Sequence, residues 1–265
     1  MGFCPIQEAC CKGGLDLLYQ QYYETVRKLM AEAIGKQEDK IVQAAHMLAD
    51  SIAAGGVIFV FGCGHSHMLA EELFYRTGGL ACVSAVLEED IMLHKSAVRS
   101  STMEKTEGIT PAMIDRYGVT DKDVALVIST SGINPGPVDA AIRAKQLGAK
   151  VICLTSSAYA QDISRHSSGK RLFECGDMWL DNCAPHGDAS VTAENTQVSC
   201  GPVSTLTTTL LMESMVVQAV EFLAQSGFEP PVFTSGNVPG GPEKNKHLIE
   251  QYRQRVRLLD PYMEG

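Results

Sequence analysis

Val57-Ile58-Phe59-Val60-Phe61-Gly62-Cys63-Gly64-His65-Ser66 and Val124-Ala125-Leu126-Val127-Ile128-Ser129-Thr130-Ser131-Gly132 are the two stretches that decide the fold. Each is a run of five apolar residues that stops at a small, hydroxyl-bearing turn, the pattern of a strand buried on both faces. A helical pattern follows each turn, so free backbone N–H groups and serine hydroxyls face whatever sits at the end of the strand. Two such loops on separate strands of an open parallel sheet converge at its carboxyl edge. The group they suit is a small anion.

The same alternation continues outward. Residues 15–54 predict two helices, because Leu17, Leu18, Tyr22, Val26, Leu29 and Met30 recur at near-helical spacing, and Ile41, Ala44, Ala45, Leu48 and Ile52 repeat it after Gly35-Lys36-Gln37. Strands are expected at 57–61, 81–87, 124–128, 150–155 and within 172–180, where Gly176 interrupts the pattern. Helices are expected at 66–77, 137–147, 204–224 and 243–259, the last after a Gly/Pro-rich stretch at 227–242. Strands and helices in this rhythm predict an α/β fold with a parallel sheet and right-handed crossovers. No internal repeat or low-complexity linker divides the chain. One domain over 1–265 is therefore expected: an N-terminal helical pair (1–54), an α/β core (55–225) and a C-terminal extension (226–265). Residues 88–117 make a long connection of mixed charge, with Glu88, Glu89, Asp90, His94, Lys95, Arg99, Glu104, Lys105 and Glu107, and read as a wall or lid.

Composition narrows the partners. The 265 residues are 45% hydrophobic and carry a net charge of -9 from 22 basic and 31 acidic side chains. An acidic surface repels nucleic acid and anionic membranes, so no nucleic acid and no membrane partner is expected, and an anion must be held by local donors. The nine cysteines are spread from Cys4 to Cys200 without a secretory hydrophobic segment, which predicts reduced thiols in the cytoplasm. Cys4, Cys10 and Cys11 lack a second pair at zinc-finger spacing. No uninterrupted apolar stretch reaches membrane-spanning length, and Ile6 stands where myristoylation of Gly2 expects Ser or Thr. A dinucleotide site is disfavoured: Gly62-x-Gly64 follows a strand and Glu88 lies beyond the next one, but the third glycine position is His67, and no Walker lysine follows either loop. No cofactor is expected. His67, Glu71 and His186 offer only a weak metal pattern, and no metal is expected either.

The two loops resemble the signature loops of the sugar isomerase (SIS) domain family, in order and strand context, over roughly residues 40–225. The stretches 64–72, 164–170 and 230–233 resemble a branch of single-domain members described as phosphosugar isomerases. The resemblance implies a three-layer sandwich with a five-stranded parallel sheet in flavodoxin-like order, extra helices at both termini, and a homodimer or homotetramer with shared active sites. It implies aldose–ketose isomerisation of a small anionic sugar, a 6-phosphosugar, through a cis-enediol. Ser66, Ser129 and Ser131 match the family's phosphate-binding serines, with Thr130 adding a backbone N–H. Asn134 stands where the family commonly has Ser or Thr, and its amide brings two donors. The head group is thereby left open between phosphate and sulfonate, as in sulfoquinovose. A non-catalytic sugar-phosphate sensor is a further reading, and a phosphosugar etherase or lyase a lesser one.

Isomerisation needs a carboxylate or imidazole as base and donors for the enediolate. His67 and Glu71 share a helix face with Glu72 beside them, and resemble the His-x-x-x-Glu pair of phosphoheptose isomerases at a shorter spacing from the loop. His186 and Asp188 lie in a polar turn that leaves the last strand, continued by Glu194. Pro202-Val203-Ser204-Thr205 resembles the helix start that follows the catalytic glutamate in glucosamine-6-phosphate synthase isomerase domains, although Ser199 occupies the glutamate's offset. His166 is a candidate ring-opening acid supplied across a subunit interface, and His46 is expected to be structural. The catalytic candidates are therefore Glu71, Glu72, His67, His186 and His166. The binding candidates are Gly64, His65, Ser66, Ser129, Thr130, Ser131, Asn134, Asp188 and Ser204.

Overall fold

The apolar runs fold into one parallel sheet. In the computed structural model, which describes residues 17–261, the strands are β1 (Ile58–Gly62), β2 (Val83–Ala85), β3 (Val124–Ile128), β4 (Lys150–Thr155) and β5 (Met178–Asp181). Their order is β2-β1-β3-β4-β5, the flavodoxin-like arrangement. Gly62 lies beside Ile128, and Ile128 beside Leu154, so the three central strands end level at the carboxyl edge. Every residue of β1 and β3 is buried, because helices cover both faces. Cys4, Cys10, Cys11 and the first residues of the expected N-terminal helix lie outside the described residues.

Helices α1 (Leu18–Gly35), α2 (Glu38–Ala53), α3 (Met68–Leu73), α4 (Ala97–Glu104), α5 (Thr110–Asp115), α6 (Pro135–Gln146), α7 (Ser204–Gln225) and α8 (Gly241–Tyr252) complete the fold. α2 buries Ile41, Ala44, Ala45, Leu48 and Ile52, the same set that marks it in the sequence. It packs on α7, while α6 covers β3 and β4. α7 is, among the described residues, the one helix long and apolar enough by length and composition to cross a bilayer. Here it packs on α1, α2 and α3 and buries Leu211, Met212, Met215, Val216 and Ala219.

Three departures from the sequence pattern have local causes. The expected helix at 66–77 is a 3-10 turn at Gly64–His67 followed by α3, which stops where Phe74 turns extended and Tyr75 takes φ 48°. The strand expected at 81–87 is shortened because residues on its entry pair with the C-terminal segment. The Ala81 N–H donates to the Pro231 carbonyl at 2.7 Å, and the Phe233 N–H to the Gly79 carbonyl at 2.9 Å. Finally, β6 (Val191–Ala193) and β7 (Val198–Cys200) form an antiparallel hairpin where the sequence reads as a polar loop.

Candidate functional site

Because β1 and β3 are neighbours that end together, their loops meet over one cavity of about 370 Å³. Cys63, Gly64, His65 and Ser66 form one side, and Ser129, Thr130 and Ser131 another. The 88–117 connection supplies a third wall through Leu93 and the α4 residues Ala97, Ser100, Ser101 and Glu104. Tyr159, Gly187, Asp188 and Ser204 close it from the loops after β4 and β5 and the start of α7. No lysine or arginine is among these residues.

Backbone geometry makes the loops. A Cβ on Gly62 would stand 2.5 Å from the carbonyl carbon and oxygen of Ser66, so the chain folds back over the strand end only because that position is bare. Gly132 has φ +62°, and a Cβ there would meet Thr155 Oγ1 at 2.6 Å. Thr130 is fixed to the β4 end: its carbonyl accepts from the Ser156 N–H at 2.9 Å and from Thr155 Oγ1 at 3.1 Å. The Ser129 hydroxyl accepts from the Gly132 N–H at 3.2 Å. The backbone N–H groups of Thr130 and Ser131 have no acceptor among the described residues. They are the donors left over for an anion.

The chemistry-bearing walls differ in how committed they are. Asp188, at φ 55°, accepts from the N–H groups of Val203 and Ser204 at 3.0 and 2.8 Å and from the Ser204 hydroxyl at 2.6 Å, so this pair closes the start of α7. Tyr159 OH accepts the Gly187 N–H at 2.7 Å. Glu104 ends α4, and one carboxylate oxygen accepts from Asn134 Nδ2 at 2.7 Å. His65 is exposed and lines the cavity, and its imidazole has no hydrogen-bond partner among the described residues. Burial, with the nearby Glu104 charge adding to it, pushes the Cys63 thiol well above its ordinary value, which keeps it protonated and weakly nucleophilic.

Of the binding candidates, Gly64, His65, Ser66, Ser129, Thr130, Ser131, Asp188 and Ser204 line this cavity, whereas Asn134 stands behind it, between Glu104 and Arg165. The five catalytic candidates are not among its lining residues. His67 is buried, with Nδ1 against the Gly64 carbonyl and Nε2 3.4 Å from Glu71 Oε1. Glu72 pairs with Arg76 on the surface. His166 is held between Ser168 Oγ at 2.7 Å and Asp139 Oδ1 at 3.0 Å. His186 is exposed, stacks on Tyr159 and pairs with Asp162 Oδ2 at 3.1 Å. His46 stacks on Phe222 between α2 and α7, a packing role. Among the described residues no three His, Cys, Asp or Glu side chains gather as a metal site. Sequence reading missed Glu104, Ser100, Ser101 and Tyr159. The only signal was the length of the 88–117 connection, which marks a wall without marking which carboxylate faces inward.

The chain matches the family model described as the SIS domain over residues 21–156. It is 43% identical over 249 residues to a UPF0309 protein of Caldanaerobacter subterraneus subsp. tengcongensis, covering 92% of this chain and 100% of that relative. A UPF0309 protein of Geobacillus thermodenitrificans is 40% identical over 243 residues, covering 91% and 98%. Among solved structures, the chain is similar to a phosphoheptose isomerase from Francisella tularensis, with TM-score 0.47, 20% identity, and coverage of 76% of this chain and 96% of that one. It is also similar to the Vibrio vulnificus NanR protein complexed with ManNAc-6P, with TM-score 0.40, 15% identity, and coverage of 98% and 74%.

Proposed function

This chain belongs to the SIS domain family and to the UPF0309 proteins, and on that premise we propose that it interconverts an aldose and a ketose that carry a terminal anionic group, with a 6-phosphosugar as the first substrate class. The observation that carries the reading is one cavity in which the donors of both loops and a single uncapped carboxylate, Glu104, face the same volume. The anion takes the Ser66, Ser129 and Ser131 hydroxyls and the backbone N–H groups of Thr130 and Ser131. The sugar chain then extends toward α4. Glu104 removes the proton from the carbon beside the carbonyl, the electron pair forms the enediolate, and the same carboxyl returns the proton to the neighbouring carbon. His65 stands within the same cavity as the donor to the ring or carbonyl oxygen. Asp188 and Ser204 shape the far wall through the α7 cap.

In the assembled protein we read Glu71, Glu72, His67, His186 and His166 as groups that support the loops or are lent to a neighbouring subunit's cavity. A homodimer or larger assembly, without nucleic acid, in the cytoplasm, belongs to the same proposal.

A second reading has its own observation. A phosphate monoester carries nearly two negative charges and gains from a nearby cation, whereas a sulfonate carries one and is satisfied by neutral donors. The absence of Lys and Arg from the cavity lining favours a 6-sulfo sugar such as sulfoquinovose. Assays with glucose 6-phosphate and sulfoquinovose separate the two. Ketose formed from the phosphosugar alone eliminates the sulfonate reading, and the converse eliminates the first. Thermal stabilisation by either ligand without turnover identifies a sensor, and lactate released from a lactyl-ether phosphosugar identifies an etherase.

A further inference from the structure

We infer that Asn134 and Arg165 form a positioning relay that orients Glu104 without pairing it directly with a cation. The inference rests on the reading of Glu104 as the base. Asn134 begins α6, the place where an asparagine side chain ordinarily caps the helix by accepting backbone N–H bonds. It makes no such bond here. Pro137, the third residue of α6, removes one of the two N–H groups that such a cap would take, and the amide is left for other partners. Its Nδ2 donates to Glu104 Oε1 at 2.7 Å, and its Oδ1 accepts from Arg165 Nη1 at 2.7 Å. Arg165 is itself held by its backbone N–H on the Ile133 carbonyl at 2.9 Å, one residue before Asn134.

Chemistry allows only one orientation of this buried amide. A guanidinium only donates and a carboxylate only accepts, so a flipped amide would set donor against donor and acceptor against acceptor. Arg165 therefore fixes the amide, and the amide fixes one oxygen of Glu104, which leaves the other oxygen for the sugar. A direct arginine partner would hold the carboxylate equally well, but would lower its proton affinity by about 1–3 units and weaken it as a base. The interposed amide transmits orientation while keeping the cation one side chain away. The other titratable groups that line the cavity with Glu104 are Cys63 and His65 of the first loop, Tyr159 after β4, and Asp188.

The test compares Arg165→Met, Arg165→Lys, Asn134→Ala and Glu104→Gln, using whichever of glucose 6-phosphate and sulfoquinovose the wild-type protein converts. Arg165→Met should lower kcat by about tenfold or more, with KM changed by no more than about twofold. Arg165→Lys should recover most of the loss, because one N–H donor suffices to orient the amide. A second readout needs no substrate: in protein labelled with 13C at glutamate Cδ, the Glu104 signal is assigned by its loss in Glu104→Gln. That signal should move in Arg165→Met as well as in Asn134→Ala, although Arg165 itself makes no bond to the carboxylate. An inactive Glu104→Gln beside an Arg165→Met with wild-type kcat overturns the relay alone. An active Glu104→Gln overturns the assignment of the base, and a Glu104 signal left unmoved by Arg165→Met overturns the relay whether or not either sugar is turned over.

Discussion

A missing side chain at position 62 sets the geometry of the first loop, since any Cβ there would collide with Ser66. Gly62→Ala should therefore leave the sheet intact and displace the Ser66 hydroxyl. Calorimetric titration with inorganic phosphate or sulfate should show anion affinity falling by about tenfold, the loss of one charge-assisted hydrogen bond. Ser131→Ala should cost roughly 1.5–3 kcal/mol of binding to the charged ligand and much less for a neutral sugar. Equal losses for both ligands would make Ser131 a residue that shapes the loop. The serines were legible in the sequence because a strand, a turn and a hydroxyl lie within a few consecutive positions. Glu104 was not, because its bond to Asn134 joins residues 30 apart in the chain, and nothing local distinguishes it from Glu88, Glu89 or Glu107.

Strands β1, β3 and β4 were legible almost to the residue, since runs buried on both faces are continuously apolar. The β6–β7 hairpin was not: three residues a side, mostly exposed on β7, carry too little alternation to define a period. The wall formed by 88–117 was visible as an element, but its fastening was hidden. Ser167 supplies that fastening: its backbone N–H donates to Glu107 Oε2 at 2.9 Å and its hydroxyl to Oε1, and these bonds hold the Glu107 carboxyl below its ordinary value. A carboxyl lowered in the folded state contributes stability that is present above its unfolded value and is lost as pH falls through the folded one. The Ser167 amide proton should accordingly shift in NMR spectra as pH falls below the ordinary carboxylate range, and Glu107→Gln should abolish that transition. A shift that persists in Glu107→Gln would assign the transition to another group.

Across the whole molecule the two ends of the sheet divide the work. At the carboxyl edge the loops leave donors free, while at the opposite end buried Asp123 accepts from the Val57 N–H at 2.9 Å and from Arg255 Nη2 at 2.9 and 2.8 Å, tying the C-terminal segment to the strand starts. Asp123→Ala should cost about 3 kcal/mol in urea unfolding by leaving its partners uncompensated, with anion affinity unchanged; a loss of affinity would couple the two ends. The surface also bears on assembly. Ala33 is the one fully buried residue of α1, and Tyr19 and Tyr23 are 67% and 62% exposed. A second copy of the chain would cover them, and light scattering should give at least two chains per particle at micromolar protein, where a stable monomer would contradict the shared-site proposal. The central claim, that the cavity isomerises an anionic sugar with Glu104 as its base, is tested most directly by incubating the protein with glucose 6-phosphate or sulfoquinovose in deuterated water and reading carbon 2 by NMR. Wild-type protein should place deuterium at carbon 2 of one of these sugars, and Glu104→Gln should lose about a hundredfold or more of that exchange. Exchange that continues undiminished in Glu104→Gln, or binding of both sugars with no exchange at all, would contradict it.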